Sequence, residues 1–212
     1  MPQTNLLHID DHTCLGIWQM TESEAELLRI CPYLNQFELS YTNVVRRREF
    51  LSVRALLYAI TGDDILRIVH SPSGKPILPD RYISISHTQG YAALILSDTN
   101  KVGVDIERRS DRVERIASRF IRYDEKAPTV DDKLLLWSAK ETVYKLYSEE
   151  NLHFFDMRAN GIDNHRLLME ILQGGECVNV GYELTDDYVL TWATRIDPSR
   201  QPSTTMSDEY RD

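Results

Sequence analysis

The chain has 212 residues, a formal net charge of −9, 42% hydrophobic residues and 27% charged residues. This composition is ordinary for a globular protein, and the acidic balance argues against general nucleic-acid binding. No apolar run approaches the ~20 residues that a membrane helix needs, and the N-terminus lacks the pattern of a signal peptide. Three scattered cysteines indicate a reducing compartment. We therefore expect a cytoplasmic protein that binds neither membranes nor nucleic acids.

The first third of the chain predicts one or two strands followed by helices. A strand is expected near 6–9 or 15–18. Thr21, with Glu24 three residues later, fits a capping box that opens a helix through about residue 30. A longer helix is predicted over about 43–60, because apolar residues recur there at helical spacing.

The middle of the chain predicts antiparallel strands. The stretch 71–80, SPSGKPILPD, is rich in turn residues. Three apolar or alternating runs follow it, YISISH (82–87), YAALILS (91–97) and VGVDIE (102–107), and short turns separate them. Short turns between strands favour antiparallel pairing.

The last part of the chain returns to helices and then to strands. Apolar residues at helical spacing predict an amphipathic helix over 112–122, and a second helix is predicted over about 131–148. GECVNVGYEL and DYVLTWATRI read as a closing hairpin, and the polar segment 197–212 as a disordered tail. We predict an α+β fold with two similar halves, each a long helix on a small antiparallel sheet, over 1–100 and 101–196.

The stretch KVGVDIERRS (101–110) carries two acids on one side of a strand. Side chains alternate along a strand, so Asp105 and Glu107 lie on the face opposite Val104. Two like charges this close repel unless water or a cation covers them. The residues alone leave two readings open, a solvated acidic face and a site for a hard divalent cation such as Mg²⁺.

The predicted helix over 131–148 carries a second charged pair. Glu141 and Lys145 are four residues apart and share one helix face. Taken alone, this pair reads as a surface ion pair, which contributes little to stability.

The order of these motifs carries more information than either motif alone. GKPIL and ISISHT precede GVDIE, and WSAKETVYK follows it after about thirty residues. This ordered set resembles the 4′-phosphopantetheinyl transferase superfamily, in its larger, surfactin-type, single-chain branch, over roughly residues 43–147. The resemblance implies a pseudo-dimer of two α+β halves. It also implies an enzyme that moves the phosphopantetheine arm of coenzyme A onto a serine of an apo acyl or peptidyl carrier protein.

The resemblance also implies roles for the charged residues. Asp105, Glu107 and Glu141 match the acids that hold Mg²⁺ against the pyrophosphate of coenzyme A. Glu141 is in addition the candidate base for the carrier serine. Lys145 is the second candidate catalytic residue, because it would stabilise the pyrophosphate oxygens or protonate the leaving phosphate. Lys140 is expected to contact phosphate.

Other positions match the family's contacts with coenzyme A. Ser86 and His87 match a Ser-His pair that meets its phosphates, Lys75 matches a lysine near the nucleotide, and Arg54 matches an arginine at the 3′-phosphate. Arg47 is a further candidate, although the stretch TNVVRRRE departs from the family pattern. Which of three consecutive arginines meets phosphate therefore stays open, and the members of this run are Arg46, Arg47 and Arg48.

The arginine-rich face of the helix predicted over 112–122 suggests a docking surface. Carrier proteins are typically acidic helical bundles, and a basic face would steer one towards the site. The alternative is an ordinary solvated face. The candidate docking residues are Arg112, Arg115, Arg119 and Arg122.

Two other functions stay open at this stage. One is a relative that binds coenzyme A or a carrier protein without turnover. The other is an unrelated Mg²⁺-dependent phosphodiesterase or nuclease, which the three acids would permit. Two halves in one chain make a monomer the expected state, and the sequence does not identify the carrier protein.

Overall fold

A computed structural model describes residues 4–37, 41–163 and 166–200 of the chain. The strands are β1 (Thr4–Asp10), β2 (Thr13–Gln19), β3 (Val69–His70), β4 (Pro76–Ile77), β5 (Tyr82–Thr88), β6 (Tyr91–Ser97), β7 (Asn100–Arg108), β8 (Met157–Asp163), β9 (Arg166–Ile171), β10 (Glu176–Leu184) and β11 (Tyr188–Ile196). The α-helices are α1 (Glu24–Ile30), α2 (Val44–Thr61) and α3 (Val130–Leu146). Short 3-10 helices occupy Pro32–Gln36, Asp111–Arg119, Phe154–Asp156 and Pro198–Arg200.

Two antiparallel sheets form the framework of the molecule. One sheet has the strand order β1-β2-β6-β5, the other has the order β7-β11-β10-β9-β8, and β3 and β4 form a separate small hairpin. Helix α2 packs on β2 and β6, and α3 packs on β7 and β11. The predicted α+β fold is thereby confirmed. None of the helices in the described part of the chain has the length and apolar character needed to cross a membrane.

An apolar layer joins the two sheets. Its buried residues come from β2 and β6 on one side and from β7 and β11 on the other, and they include Leu15, Ile95, Val104, Ile106 and Leu190. The predicted core face of β7 is confirmed, because Val102 lies in the same layer. Burial of this layer fixes which face of β7 turns towards α3.

Hydroxyl groups connect β5 to β7 where the two sheets meet. Every second residue of β5 supplies one hydroxyl, so the three connections lie on one face of the strand. The contacts are the Val104 amide donating to Ser84 Oγ at 3.1 Å, Ser86 Oγ donating to Asp105 at 2.9 Å, and the Arg108 amide donating to Thr88 Oγ1 at 3.1 Å.

A glycine lets α3 lie directly on β7. A Cβ atom at Gly103 would stand 2.3 Å from the carbonyl oxygen of Thr142 and 3.2 Å from the Cβ atom of Leu146. Backbone atoms cannot give way as a flexible side chain can, so only glycine is compatible with this approach. The close contact brings the acidic face of β7 next to the helix that carries Glu141.

Two helix predictions need correction. The first helix is capped by Ser23, whose side chain accepts from the Glu26 amide, rather than by Thr21 with Glu24. The segment predicted as an amphipathic helix over 112–122 is a 3-10 helix over Asp111–Arg119. Its buried face repeats every three residues at Val113 and Ile116, a spacing that both helix types share.

Other predicted boundaries agree more closely with the structure. Both of the alternative first strands form, as β1 and β2, and the two long predicted helices correspond to α2 and α3. Of the predicted tail, Asp197 accepts a hydrogen bond from Tyr82 and 198–200 form a 3-10 turn. Residues 201–212 lie outside the described residues, and the boundary between the halves stays a prediction.

We predict that Gly103→Ala lowers the free energy of unfolding by about 1–3 kcal/mol, since the added methyl group must push α3 away from β7. Lys101→Ala on the same strand is the control, because it removes only a largely exposed ion pair with Glu149. Urea unfolding followed by circular dichroism measures both variants. Equal stability of the two variants would contradict the close packing at Gly103.

Candidate active site

The three predicted acids meet at the contact between β7 and α3. Asp105 and Glu107 occupy alternate positions on β7 and face α3, and Glu141 lies on that helix. Lys145, one turn after Glu141, points to the same place, because its ammonium group reaches Asp105. The structure therefore brings together the two motifs that the sequence separates by about thirty residues.

Asp105 is the most buried of these charged groups, with 4% of its surface exposed. Its Oδ1 atom accepts from Ser86 Oγ at 2.9 Å and from Lys145 Nζ at 2.7 Å. Lys145 Nζ also donates to the carbonyl oxygen of Val104 at 2.9 Å. The Oδ2 atom is buried and has no hydrogen-bond partner among the described residues. A buried carboxylate oxygen without a donor is costly, and it marks a position that a cation would stabilise.

Glu107 is held by an aromatic residue of α3. The indole Nε1 of Trp137 donates to Glu107 Oε1 at 2.8 Å. Burial raises the pKa of Glu107, and the nearby Asp105 raises it further, while the indole hydrogen bond acts in the opposite direction. The sequence analysis assigned no role to Trp137, which lies within the motif WSAKETVYK, so its contact with the acidic group was missed.

Glu141 has the most strongly perturbed acid group of the site. Burial raises its pKa from 4.5 to about 7, and the charges of Asp105 and Glu107 add to this effect, while Lys145 opposes it. A carboxyl group with a pKa near neutrality can both accept and release a proton at physiological pH. Such a shift in a cleft is typical of acid–base residues.

The donor chemistry of the site fits Mg²⁺. The donors are hard carboxylate oxygens, and Asp105 Oδ2 lacks a partner among the described residues. Within the ranges that the structure describes, no three His, Cys, Asp or Glu side chains form a group that could hold a metal ion. Mg²⁺ usually takes only one or two carboxylates and completes its shell with water and substrate phosphates. The residues therefore suit a metal that arrives with a phosphate ligand.

A pocket of about 210 Å³ beside this site presents an unneutralised cation. Arg54 lines it, and its guanidinium group lies 3.2 Å from the centre of the Phe50 ring. One Arg54 nitrogen donates to the carbonyl oxygen of Phe50, whereas the buried Nε has no partner among the described residues. Burial lowers the pKa of Arg54 to about 10. A buried guanidinium without a carboxylate partner favours an anionic ligand.

The three consecutive arginines of α2 differ in their position relative to this pocket. Arg46 lines the pocket together with His87 and Glu49, and it pairs with Glu49 at 3.0 Å. Arg47 is not among the lining residues, and its side chain forms an ion pair with Glu24 at 2.7 Å. This position favours Arg46 over Arg47, and the choice between them stays a prediction. The pocket also contains His70, on the short strand β3, which the sequence analysis missed because no motif surrounds it.

A second pocket, of about 300 Å³, shares the lining residue Ile85 with the first. Lys75 and Lys145 both line it. The predicted nucleotide contact Lys75 and the predicted catalytic lysine thus face one space. Ser86 donates to Asp105 from the same strand that carries His87, so one strand serves both the acidic centre and the arginine pocket.

Lys140 does not reach either pocket. Its side chain is fully buried and donates to Glu125 at 2.7 Å, with further bonds to the carbonyl oxygens of Phe120 and Phe154. All three ammonium hydrogens are thereby used. The predicted phosphate contact of Lys140 is corrected to a structural role, because its partners come from loops outside the motif.

The predicted docking arginines divide into two groups. Arg112 is exposed and lines a pocket of about 630 Å³ that reaches Glu107. Arg115 and Arg119 are also exposed. Arg122 lies beyond the 3-10 helix and is held by Asp124 at 2.9 Å, so it offers less charge to a partner.

The same pocket contains two arginines that the sequence analysis did not select. Arg108 and Arg109 follow Glu107 directly in the sequence and line this pocket. Their position directly after Glu107 is the sequence feature from which they could have been selected.

We predict that Glu141→Gln stabilises the free protein above pH 7. The raised pKa means that the folded state prefers protonated Glu141, so stability is lost as the pH rises from about 4.5 through about 7. Glutamine removes the charge that causes this loss. We expect a gain on the order of 1–3 kcal/mol at pH 8, seen as a rise in melting temperature of about 2–4 °C per kcal/mol. The difference in melting temperature between Glu141→Gln and the wild-type protein should shrink towards pH 5. A lower melting temperature of the variant at both pH 8 and pH 5 would contradict the raised pKa of Glu141.

Comparison with known proteins places part of the chain in a family. Residues 101–193, 93 of the 212 residues, match the family model described as the 4′-phosphopantetheinyl transferase superfamily. This segment contains Asp105, Glu107, Glu141 and Lys145. No curated protein matches the chain, and the surfactin-type branch stays a prediction. By this match, residues 101–193 carry the signature of the 4′-phosphopantetheinyl transferase superfamily.

Proposed function

We propose that the chain transfers the 4′-phosphopantetheine arm of coenzyme A to a serine of an apo acyl or peptidyl carrier protein and releases adenosine 3′,5′-bisphosphate. The observation that carries this proposal is the position of Glu141. Its carboxyl group has a pKa of about 7 and lies beside Asp105, Glu107 and Lys145, within the segment that matches the family.

Mg²⁺ is the proposed metal, and its candidate ligands are Asp105, Glu107 and Glu141, of which one or two would bind it together with water and substrate phosphates. When bound, it would neutralise charge on the pyrophosphate of coenzyme A. Asp105 is the best placed of the three, since its Oδ2 atom is buried and lacks a donor among the described residues. Glu107 would have to give up or share its hydrogen bond from Trp137.

Glu141 is the proposed general base. The carrier serine attacks the phosphorus atom that carries the pantetheine arm, and its proton passes to Glu141 as the new bond between oxygen and phosphorus forms. The bond to the bridging oxygen of the pyrophosphate breaks, and this oxygen leaves with adenosine 3′,5′-bisphosphate. A base with a pKa near the working pH suits this step.

Lys145 is the proposed partner of the leaving phosphate. Its ammonium group is fixed by Asp105 Oδ1 and by the carbonyl oxygen of Val104, so it needs little reorganisation when charge develops. It also lines the pocket that holds Lys75. These two lysines would neutralise phosphate oxygens from opposite sides.

The arginine pocket is the proposed site of the 3′-phosphate. Arg54 has no carboxylate partner among its described contacts and stacks on Phe50. Arg46 and His87 also line the pocket, as does Glu49, which pairs with Arg46 at 3.0 Å, so a phosphate would compete with Glu49 for Arg46. Planar guanidinium groups suit a phosphate ligand. Ile85 lines both this pocket and the space that contains the lysines, so the two lie next to each other, and one extended ligand is proposed to contact both.

The pocket beside Glu107 is the proposed entry of the carrier protein. Arg108, Arg109 and Arg112 line this pocket together with the apolar side chains of Val113 and Trp137, and Arg109 is already paired with Asp131. Basic side chains beside apolar ones complement an acidic helical bundle. Arg115 and Arg119 extend the basic surface, whereas Arg122 contributes less because Asp124 already pairs with it.

The other proposed functions have less support. A module that only binds coenzyme A has no need for a base tuned to neutral pH. A general phosphodiesterase has no need for an enclosed arginine pocket next to the acids. The chain is proposed to act in the cytoplasm as a monomer.

Transfer can be tested by intact-mass spectrometry of an apo acyl carrier protein incubated with the chain, coenzyme A and Mg²⁺. We expect the carrier to gain one phosphopantetheine group. Glu141→Ala should lower the rate by a factor of about 10²–10⁴, as expected for loss of a general base, and EDTA should abolish transfer. Glu170→Ala is the matched control, because Glu170 pairs with Arg158 on the far strands of the second sheet.

Each outcome of this test has a distinct meaning. Calorimetric binding of coenzyme A without transfer to several carriers would favour the binding module. Hydrolysis of a simple phosphodiester without binding of coenzyme A would favour the phosphodiesterase. Full activity of Glu141→Ala would refute the role of Glu141 as the base.

We predict different effects from two neighbouring arginine variants. Arg46→Gln should raise the KM for coenzyme A by about tenfold, the effect of losing one charge-assisted hydrogen bond. Arg47→Gln should leave the KM nearly unchanged, since Arg47 contacts Glu24 and lies outside the pocket. With dephospho-coenzyme A, which lacks the 3′-phosphate, neither variant should change the KM appreciably. A larger effect of Arg47→Gln would overturn the choice of Arg46.

A further inference from the structure

The pocket that contains Lys75 has walls from both halves of the chain. One wall is the turn between β3 and β4, and the floor is β5. The opposite wall is the last turn of α3 and the residues after it. The residues that line the walls are Ser73, Gly74, Lys75 and Pro76 on one side and Tyr144, Lys145 and Ser148 on the other.

The turn that forms the first wall is well ordered internally. The Ser71 amide donates to the carbonyl oxygen of Lys75 at 2.9 Å, and the Lys75 amide donates to Ser71 Oγ at 3.1 Å. Gly74 adopts a φ of +85°, which closes the turn with a bond to the Ser71 carbonyl oxygen. The hairpin below it is short, however, because β3 and β4 have two residues each. A two-strand hairpin of this size has little stability of its own.

An ion pair ties this turn to the other wall. Glu149 follows α3, and its Oε1 atom accepts from Lys75 Nζ at 3.0 Å. Its Oε2 atom accepts from Lys101 Nζ at 3.2 Å. Hydrogen bonds from both lysines lower the pKa of Glu149, so the bridge stays ionised at neutral pH. The contact crosses from one half of the chain to the other at the edge of the pocket.

We propose that Glu149 is a positioning residue that holds Lys75 and the turn 71–77 in place for coenzyme A. The inference rests on the proposed function, in which Lys75 contacts the nucleotide. Because Lys101 shares the carboxylate, the three charges sum to a positive value and the pocket stays attractive to phosphate. Glu149 itself does not line the pocket.

The position of Glu149 determines which kinetic constant it affects. If the turn 71–77 is already held in place in the free protein, less conformational entropy is lost when coenzyme A binds. Glu149 should therefore affect the KM for coenzyme A and leave kcat unchanged. Lys145 is held by Asp105 and the carbonyl oxygen of Val104, and the charges that act on Glu141 are those of Asp105, Lys145 and Glu107.

The test compares two adjacent glutamates. Glu149→Gln should raise the KM for coenzyme A about two- to fivefold without changing kcat, the size expected for a largely exposed ion pair. Glu149→Asp should restore part of the loss. Glu150→Gln is the matched control, because Glu150 pairs with Arg195 instead and should leave both constants unchanged.

Hydrogen exchange provides a readout that does not depend on activity. In the free protein, Glu149→Gln should speed exchange of the Gly74 and Lys75 amides, which the turn protects, and Glu150→Gln should not. Unchanged exchange and an unchanged KM in Glu149→Gln would overturn the proposal, as would a fall in kcat at constant KM. If the wild-type chain transfers no phosphopantetheine, the proposed function fails. The hydrogen-exchange experiment still tests the ion pair separately: unchanged amide exchange in Glu149→Gln would show that the ion pair does not anchor the turn.

Discussion

One oxygen atom of Asp105 connects three elements of the molecule. Asp105 belongs to β7, and its Oδ1 atom accepts from Ser86 on β5 and from Lys145 on α3. The strand β5 belongs to the four-stranded sheet, β7 belongs to the five-stranded sheet, and α3 packs on β7. The same carboxylate therefore joins the two sheets, together with the apolar layer between them, and fixes the position of Lys145.

The three acids of the site lower the stability of the folded protein. Asp105, Glu107 and Glu141 repel one another, and burial adds to the effect by disfavouring the ionised forms of the two glutamates. Lys145 offsets part of this charge, and the indole of Trp137 acts in the same direction at Glu107. Hydrophobic packing between the sheets supplies the stability that the acids remove, and a bound cation would relieve the repulsion. This is the pattern expected where function, rather than folding, selects the residues.

Sequence reasoning was most successful where local rules apply. Strand alternation correctly placed Asp105 and Glu107 on the face opposite the core, because the period of a strand fixes each side chain. It failed where the answer depends on distant partners. Lys140 looks like a site residue in its motif, yet it pairs with Glu125 in a loop that no local rule connects to it. Arg47 likewise pairs with Glu24 on another helix, a contact that its own motif does not indicate.

The hydrogen bond between Trp137 and Glu107 has a consequence for how the site can be observed. Indole emission responds to the charge and polarity around the ring, and here the ring is fixed to one of the acidic groups at 2.8 Å. Any ligand that draws Glu107 away changes the surroundings of this indole directly. The other two tryptophans, Trp18 and Trp192, pack in core clusters that contain none of the site acids. The protein thus carries an intrinsic optical probe beside the proposed active site, and a titration can follow binding there without any label.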